Sequence, residues 1–277
     1  MGVTMKNAIK YYYGLDVSKI IYSNNYYLLI DNMNYLLYKC NVEDINNINL
    51  SGYHTLIPTL NNSKYIIYDN TMYVLFKLNT VVGKIKYSDL LNSIRYYGNG
   101  DIDWVNLWCT HIDYIENTIV DNYSKYEELS NVVSYYIGLG ENAIELLNMS
   151  NITNIDKYIT HKRVKYNMNL VDLYNPFLIA IDTRVRDLAE YIKSAFFNGI
   201  KLDIPFNLSN DEYILLFARL LYPSYFFDLC DDAINGNYDK NKLDKITSKV
   251  DEYEEYLKSI YKRIKKTTYI YDIDWLN

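Results

Sequence analysis

Cysteine and histidine, two residue types that often build metal sites, are scarce in this chain of 277 residues. The six residues lie far apart, with no Cys-x-x-Cys spacing: Cys40, Cys109, Cys230, His54, His111 and His161. Cysteines that are odd in number and widely spaced predict no disulfide framework and favour a reducing compartment. Three scattered histidines predict no metal site.

Basic charge is also in short supply. The chain has 28 Lys and Arg residues against 34 Asp and Glu residues, a net charge of −6 and a pI near 5.2. Nucleic-acid binders need a basic surface that displaces counterions from phosphates, so we expect no nucleic-acid partner. The one dense basic run, residues 262–266, ends a predicted helix, where cations complement the helix dipole.

Long apolar runs are missing as well. No stretch reaches the length of a membrane span, and the first residues lack the apolar core of a secretion signal. We therefore expect a soluble protein made in the cytoplasm, without a membrane partner. Apolar residues still form 49% of the chain, which predicts a globular fold. The 33 tyrosines fit either a coding bias toward AT-rich codons or a surface that favours assembly, and both accounts can hold together.

The first third of the chain has the apolar pattern of β-strands. It predicts two hairpins whose turns contain Asp and Asn, formed by residues 26–30 with 35–40 and by residues 65–68 with 72–78. A polar stretch over residues 42–54 lies between them and suits a short helix. The predicted organisation is a β-rich lobe over residues 1–79 and a mainly helical lobe over residues 80–277.

Helical spacing of apolar residues dominates the second part. One helix is predicted from residue 102, with Asp101 or Asp103 as its cap. Another covers residues 129–147, where Gly138 and Gly140 either allow close packing or break the helix. Three further signals predict helix ends and starts: Gly199 as a stop, residues 209–212 as a capping box, and Pro223 as a start.

The last predicted helix covers residues 240–264 and carries apolar residues at alternating spacings of three and four, as in a heptad seam. Two interpretations remain open for it. The helix lies along its own domain, or it forms a homo-oligomer with a second copy. The tail that contains Trp275 and Leu276 is predicted to fold back onto the domain.

Four motifs follow the β-rich region. They are a W-x-x-x-W pattern within residues 103–108, the segment 135–143, the triplet His161-Lys162-Arg163, and Ile181-Asp182 followed by Arg186-Asp187-Leu188-Ala189-Glu190. Together with the lobe order, they resemble the aminoglycoside/choline kinase-like superfamily, and within it the spore-coat-associated kinase-like proteins of the CotS and YutH type. The resemblance covers most of the chain. It implies an α+β, bilobal, protein-kinase-like fold with a small antiparallel β lobe before a larger helical lobe.

In active members of that superfamily, a lysine on the third strand holds the nucleotide phosphates and a catalytic-loop Asp handles the acceptor hydroxyl. Lys39 lies at the place of the lysine, although an edge-strand lysine that faces water is the alternative. Arg163 stands where His-x-Asp would have its Asp. A guanidinium stays protonated at physiological pH and therefore cannot accept the proton.

The resemblance also implies two magnesium ligands. Met168 occupies the place of the ligating Asn, and its thioether does not suit a hard cation, although Asn167 or Asn169 would supply an amide after a slip of one residue. Asp182 follows a short apolar run that predicts a buried strand, and it matches the second ligand. It either retains some metal binding or, as we favour, forms an ion pair with Arg163 or Arg184.

Two further residues are expected to be structural. By resemblance, His161 binds backbone near the catalytic loop, and Asp187 braces that loop or caps the following helix. A glycine-rich phosphate loop is missing, because Gly14 is isolated and Asn24-Asn25 is a poor substitute.

Two functions follow as hypotheses, with an unrelated α+β protein as a third. The favoured one is a catalytically inactive kinase-like protein (pseudokinase) that needs no cofactor and has a structural or protein-binding role, with spore coat components as candidate partners. The alternative is a small-molecule phosphotransferase that uses ATP and Mg²⁺ at an atypical site containing Asp182. The cations near the motifs would bind an anion, a nucleotide without metal or an acidic partner segment: Lys162, Arg163, Lys165, Arg184 and Arg186.

Overall fold

The structure is a computed structural model. It describes residues 4–23, 26–30, 34–41, 53–80, 82–93, 95–205 and 207–277, with the side chains of residues 23, 30 and 91–93 left aside. The expected helix within residues 42–54, the turn at residues 31–33 and the Asn24-Asn25 pair lie largely or wholly outside this description. The mixture of an N-terminal antiparallel sheet with a helical C-terminal part confirms the α+β class.

The chain divides into two compact units, Met1–Lys86 with Asn167–Ile179, and Tyr87–Tyr166 with Ala180–Asn277. The first unit thus runs past residue 79 and takes in a segment from much later in the sequence. Backbone hydrogen bonds attach that segment, because Ile85 N–H donates to the Met168 carbonyl at 3.0 Å and Leu170 N–H donates to the Gly83 carbonyl. Pairing over such a sequence distance leaves no local signal in the sequence.

The first unit is built around one antiparallel sheet in the order β1-β2-β3-β6-β4, with β5 also paired to β6. Its elements are α1 Met5–Tyr13, β1 Lys19–Ser23, β2 Tyr26–Ile30, β3 Asn34–Lys39, β4 Thr55–Ile57, β5 Ile66–Tyr68, β6 Thr71–Lys77 and α5 Leu170–Leu173, followed by a 3-10 helix Pro176–Leu178. The pairs β2–β3 and β5–β6 are the two predicted hairpins. Asp69 and Asn70 both have positive φ, as a two-residue type I′ turn requires.

Both faces of this sheet are covered, which explains why its strands are nearly continuous apolar runs. Leu36 and Leu37 are neighbours on β3 and point to opposite faces, yet both are fully buried. Leu37 packs in a cluster with Ile9 of α1, whereas Leu36 packs in a cluster with Phe177 of the returning segment. The segment that returns at residue 167 therefore completes the core of the first unit.

The second unit contains a three-stranded sheet, β7-β8-β9, and most of the helices. Its elements are α2 Tyr87–Ser93, β7 Arg95–Gly100, α3 Trp104–Ile115, a π-helical turn Glu116–Val120, α4 Glu127–Ser150, β8 Ile155–His161, β9 Ile179–Asp182 (which begins at the boundary of the units), α6 Val185–Phe197, α7 Asn210–Leu221, α8 Ser224–Ile234, α9 Lys240–Thr247, α10 Val250–Lys265 and a 3-10 helix Asp274–Leu276. Taken singly, no helix in the described part of the chain has the length and apolar character of a membrane span. The pair α7 and α8 meets those two criteria only across a bend of 43°.

The helix signals locate most of these elements. Asp103 caps α3 by accepting from Asn106 N–H at 3.0 Å. The capping box predicted at residues 209–212 is formed at the start of α7. Gly199 has a φ of +84° two residues after α6. The tail folds back as predicted, since the Leu276 side chain is fully buried in the core of the second unit.

The prediction of one helix over residues 240–264 is wrong, because α9 ends at Thr247 and α10 begins at Val250. Ser248 and Lys249 lie between them without a glycine or proline, and the apolar spacing continues across the break. The apolar residues of both helices are buried in their own unit, including Leu243, Leu257 and Ile264. A homo-oligomer through this segment stays a prediction, and it would have to use the polar outer faces of α9 and α10.

Gly140 resolves the two interpretations of the glycines in α4, which runs unbroken from Glu127 to Ser150. A Cβ atom built at Gly140 would lie 2.7 Å from Ile112 Cδ1 on α3 and 3.5 Å from Phe227 Cε2 on α8. A Cβ atom at Gly138 meets nothing within 4 Å. Gly140 therefore permits close packing of three helices, whereas Gly138 fills no such role.

Two alanine substitutions measure this packing. Gly138→Ala should raise the free energy of unfolding by about 0.5–1 kcal/mol, because alanine is the better helix former. Gly140→Ala gains the same propensity but must displace Ile112, and overpacking of this kind costs about 1–3 kcal/mol. Urea denaturation followed by circular dichroism should therefore rank Gly140→Ala below Gly138→Ala by about 1–3 kcal/mol. Equal stabilities would contradict close packing at Gly140.

Candidate functional site

The sequence motifs meet where β8 and β9 end and α6 begins. His161 is the last residue of β8, Asp182 is the last residue of β9, and Asp187 lies in the first turn of α6. All three side chains are buried. The run before Asp182 was expected to be a buried strand, and this is wrong in part, because Ile181 is 44% exposed. Alternation along β9 turns Ile181 outward and Asp182 inward.

Asp187 holds His161 at two points. One carboxylate oxygen accepts the backbone N–H of His161 at 3.0 Å, and the other lies 2.6 Å from His161 Nδ1. Because its two oxygens serve His161, Asp187 braces the chain at the end of β8, and the start of α6 has no side-chain cap. Arg186 adds to the brace, since its Nε donates to the His161 carbonyl at 3.1 Å.

Asp182 is surrounded by the protein's own donors. Arg219 Nη2 lies 2.6 Å from both carboxylate oxygens, and Arg186 Nη1 lies 2.9 Å from Oδ2. Thr183 N–H donates to Oδ1 at 2.7 Å. Burial raises the pKa of Asp182, but Arg219 and then Arg186 outweigh that effect, so the pKa is lowered and the carboxylate is charged at neutral pH.

The expected partners of Asp182 were Arg163 and Arg184, and this expectation is wrong. Arg184 instead makes a two-point ion pair with Glu212, the residue that also completes the capping box of α7. Arg163 pairs with Asp228 of α8, and its side chain is 53% exposed. The sequence predicted that arginines would neutralise Asp182, but it predicted the wrong ones. The arginines that do so are Arg186 and Arg219, which lie four and 37 residues after Asp182 in the sequence.

Arg219 is the residue that sequence reasoning missed. It lies in α7 among apolar neighbours, and its guanidinium carbon is 5.6 Å from the ring centre of Trp104 and 5.9 Å from that of Trp108. The two tryptophans of the W-x-x-x-W motif thus both contact the cation that binds Asp182, an arrangement worth about 0.5–2 kcal/mol per pair. Trp108 also stacks on Tyr222, with ring centres 4.3 Å apart. The sequence did contain one indication of a buried cation, because Arg219 is a single arginine inside the apolar run Ile214–Leu221.

A second buried ion pair lies beside Arg163. Lys193 Nζ is 2.9 Å from a Glu190 carboxylate oxygen and 2.6 Å from Ser224 Oγ. Burial works against the charged form of Glu190, yet Lys193 lowers the pKa of Glu190 to about 2. The pKa of Asp228 shifts in the opposite direction. Burial raises it, and the neighbouring Arg163 does not outweigh that effect.

The residues expected to bind nucleotide and metal have the following places. Lys39 is the last residue of β3, between β2 and β6, and its side chain is exposed. The structure therefore places Lys39 on an inner strand of the sheet and not on an edge strand. Asn169 caps α5 by accepting from Val171 N–H at 3.1 Å, and Asn167 is exposed with a φ of +63°. All three belong to the first unit.

The donor set around Asp182 does not suit magnesium. Mg²⁺ needs oxygen ligands with free lone pairs, and the oxygens of Asp182 already accept from two guanidinium groups. Metal binding there would require both arginines to leave. Across the described residues, no three His, Cys, Asp or Glu side chains come together in a group that would hold a metal ion.

Removal of Arg219 tests how far the buried charge depends on it. Arg219→Met should lower the free energy of unfolding by about 3–5 kcal/mol, because it leaves a buried carboxylate short of a partner. Asp182→Asn in the same chain should recover part of that loss. The half-exposed pair of Arg163 supplies the control, since Arg163→Met should cost about 1 kcal/mol or less. If chemical denaturation gave equal losses for both arginine variants, Arg219 would not be the main partner of Asp182.

Comparison with solved structures identifies the fold. An aminoglycoside phosphotransferase from Alicyclobacillus acidocaldarius superposes with a TM-score of 0.58 at 13% identity, over 96% of this chain and 98% of that one. A spectinomycin phosphotransferase solved with ADP and spectinomycin gives a TM-score of 0.45 at 11% identity, over 92% and 93% of the two chains. The first of these likenesses confirms the kinase-like fold class that the sequence predicted.

Sequence comparisons place the chain in a family. A search of curated protein sequences finds no match. The family model described as "Spore coat putative kinase YutH" matches residues 6–260, which is most of the chain and includes every motif discussed above. This chain therefore belongs to the spore coat YutH family and has the kinase-like fold of the aminoglycoside phosphotransferases.

Proposed function

We propose that this member of the spore coat YutH family is catalytically inactive as a kinase and acts in the spore coat through binding. The observation that carries the proposal is the state of Asp182. A phosphoryl-transfer site needs this carboxylate free to hold magnesium, which bridges the phosphates and neutralises developing charge. Here it is buried and bonded to Arg186 and Arg219.

Arg163 supports the same proposal, because its position concerns the hydroxyl group that would accept the phosphoryl group. The place of the catalytic Asp carries a permanent cation, which can neither accept nor orient the proton of a hydroxyl. The nearest carboxylate, Asp228, forms an ion pair with that cation. Glu190, which lines the same cavity as Arg163, pairs with Lys193. Both acids are therefore engaged by cations of the same unit.

One observation favours the alternative, an ATP-dependent small-molecule phosphotransferase. Asp228 lies beside Arg163, and burial raises its pKa, which is the direction that suits a general base. In this alternative Asp228 would take the proton from the hydroxyl group of the substrate. Asp182 would have to release Arg186 and Arg219 and bind Mg²⁺ instead. ATP and Mg²⁺ would then be required cofactors, whereas the proposed inactive protein needs none.

Magnesium-dependent ATP turnover separates the two functions. The wild-type protein should release no more phosphate from ATP than Asp182→Asn, and Mg²⁺ should not tighten ATP binding in calorimetry, because the arginines already occupy the metal ligand. Asp228→Asn serves as the second variant, and near-UV circular dichroism checks that each variant is folded. Turnover that requires Mg²⁺ and disappears in both variants would establish the phosphotransferase and end the proposal.

The proposed partners are protein components of the coat. We propose that the chain is synthesised in the cytoplasm and then joins them. In a spore-forming host, a fluorescent fusion of the chain should collect in a shell around the developing spore, in keeping with the name of its family. Asp182→Asn should keep that location, because the proposed role needs no phosphotransfer. A fusion that stays spread through the cytoplasm of sporulating cells would contradict the coat assignment.

A further inference from the structure

A cavity of about 290 Å³ lies in the second unit, where Arg163 is one of its lining residues and most of the lining comes from other elements. Its lining comes from the residues after β8, one face of α6, the start of α8 and the middle of α9. The volume matches the lower end of small-molecule sites, which measure about 300–1,000 Å³.

Apolar side chains form much of the cavity wall. Phe197 and Tyr225 contact each other with ring centres 4.5 Å apart and are both partly exposed, whereas Val164 and Ile246 line the cavity but are nearly fully buried. Aromatic side chains in a cavity wall suit a flat apolar body. The cavity therefore offers a ligand an apolar surface and not only polar contacts.

The charged side chains of the lining are unbalanced. Five cations and two carboxylates line the cavity: Arg163, Lys165, Lys193, Lys242 and Lys245, with Glu190 and Asp228. Three of the cations are already paired. Lys193 binds Glu190, Arg163 binds Asp228, and Lys242 binds Asp232 at 2.9 Å.

Two cations remain, and they decide the charge of the ligand. Lys165 and Lys245 line the cavity and are exposed, and no carboxylate in the described part of the chain pairs with either of them. Each ammonium group carries three donors that an anionic oxygen would accept. Because both carboxylates of the lining are already neutralised, a cationic ligand would find no free acceptor of opposite charge.

We propose that this cavity binds a small organic anion, with a flat apolar body against Phe197 and Tyr225 and one anionic group between Lys165 and Lys245. The anionic group is a sulfonate, a phosphate or a carboxylate, since all three present oxygens to an ammonium. Binding of this anion does not depend on whether the protein transfers phosphate. The anion would be a ligand of the protein in addition to its proposed partners in the coat.

Anilinonaphthalene sulfonate is a suitable probe, because it joins a flat apolar body to one anionic group and fluoresces when it leaves water. It should bind the full chain at a single saturable site, and N-phenyl-1-naphthylamine, which has the same body without the sulfonate, should bind at least tenfold more weakly. Lys165→Gln with Lys245→Gln should weaken binding of the sulfonate about tenfold and leave the neutral compound unchanged. These two lysines are exposed, so their loss should not disturb the fold.

A matched variant separates a local effect from a change in net charge. Lys262→Gln with Lys266→Gln removes the same two charges from exposed positions at the end of α10, outside the cavity, and should leave sulfonate binding unchanged. Competition supplies the second arm. 1-Naphthyl phosphate should displace the probe, and 1-naphthylmethylammonium, with the same ring system and opposite charge, should not.

Several results would overturn the proposal. They are probe binding without saturation, equal affinity of the sulfonate for the wild-type protein and the Lys165/Lys245 variant, or displacement by the ammonium compound. Displacement by a glutamate-rich peptide but not by 1-naphthyl phosphate would also overturn it, and would identify the cavity as a dock for an acidic protein segment.

Discussion

The ion pairs of Asp182 are the interaction on which the rest of the second unit depends. A buried carboxylate is unfavourable without close cations, because desolvation penalises its charged form. Arg219 comes from the middle of α7, Arg186 comes from α6, and the tryptophans that contact Arg219 come from α3. One carboxylate therefore ties together three helices and the end of a strand. While the carboxylate oxygens of Asp182 accept from the two arginines, they cannot also ligate a metal ion.

The kinase-like fold and the electrostatics of the site are therefore separate evidence about whether this chain can transfer phosphate. Asp187 braces His161 and thereby fixes the chain at the end of β8. The charged side chains beyond the end of β8 are engaged with one another, since Arg163 pairs with Asp228 and Lys193 pairs with Glu190. A fold is a weak guide to activity, because the chemistry depends on the charged groups of the site and on what they bind.

Local signals in the sequence located elements, whereas contacts between distant residues could not be predicted. The capping box at Ser209 and the turn at Asp69-Asn70 each act within four residues, so the sequence displays them directly. The strands β7 and β8 mix polar, charged and tyrosine residues, and they lack the alternation that indicates a strand. The partners of Asp182 depend on how α6 and α7 pack, which no spacing rule gives. The break between α9 and α10 has neither a glycine nor a proline to mark it.

The late segment that completes the first sheet has a consequence for synthesis on the ribosome. Domains fold as the chain emerges, N-terminal parts first. One face of the six-stranded sheet, however, is covered by Val171 and Phe177. Until those residues leave the exit tunnel, the emerged strands lack the part of their cover that Val171 and Phe177 supply. The core of the first unit is therefore completed only after α2, α3 and α4 have been translated, and a nascent chain halted before residue 170 would present that part of the sheet face to chaperones.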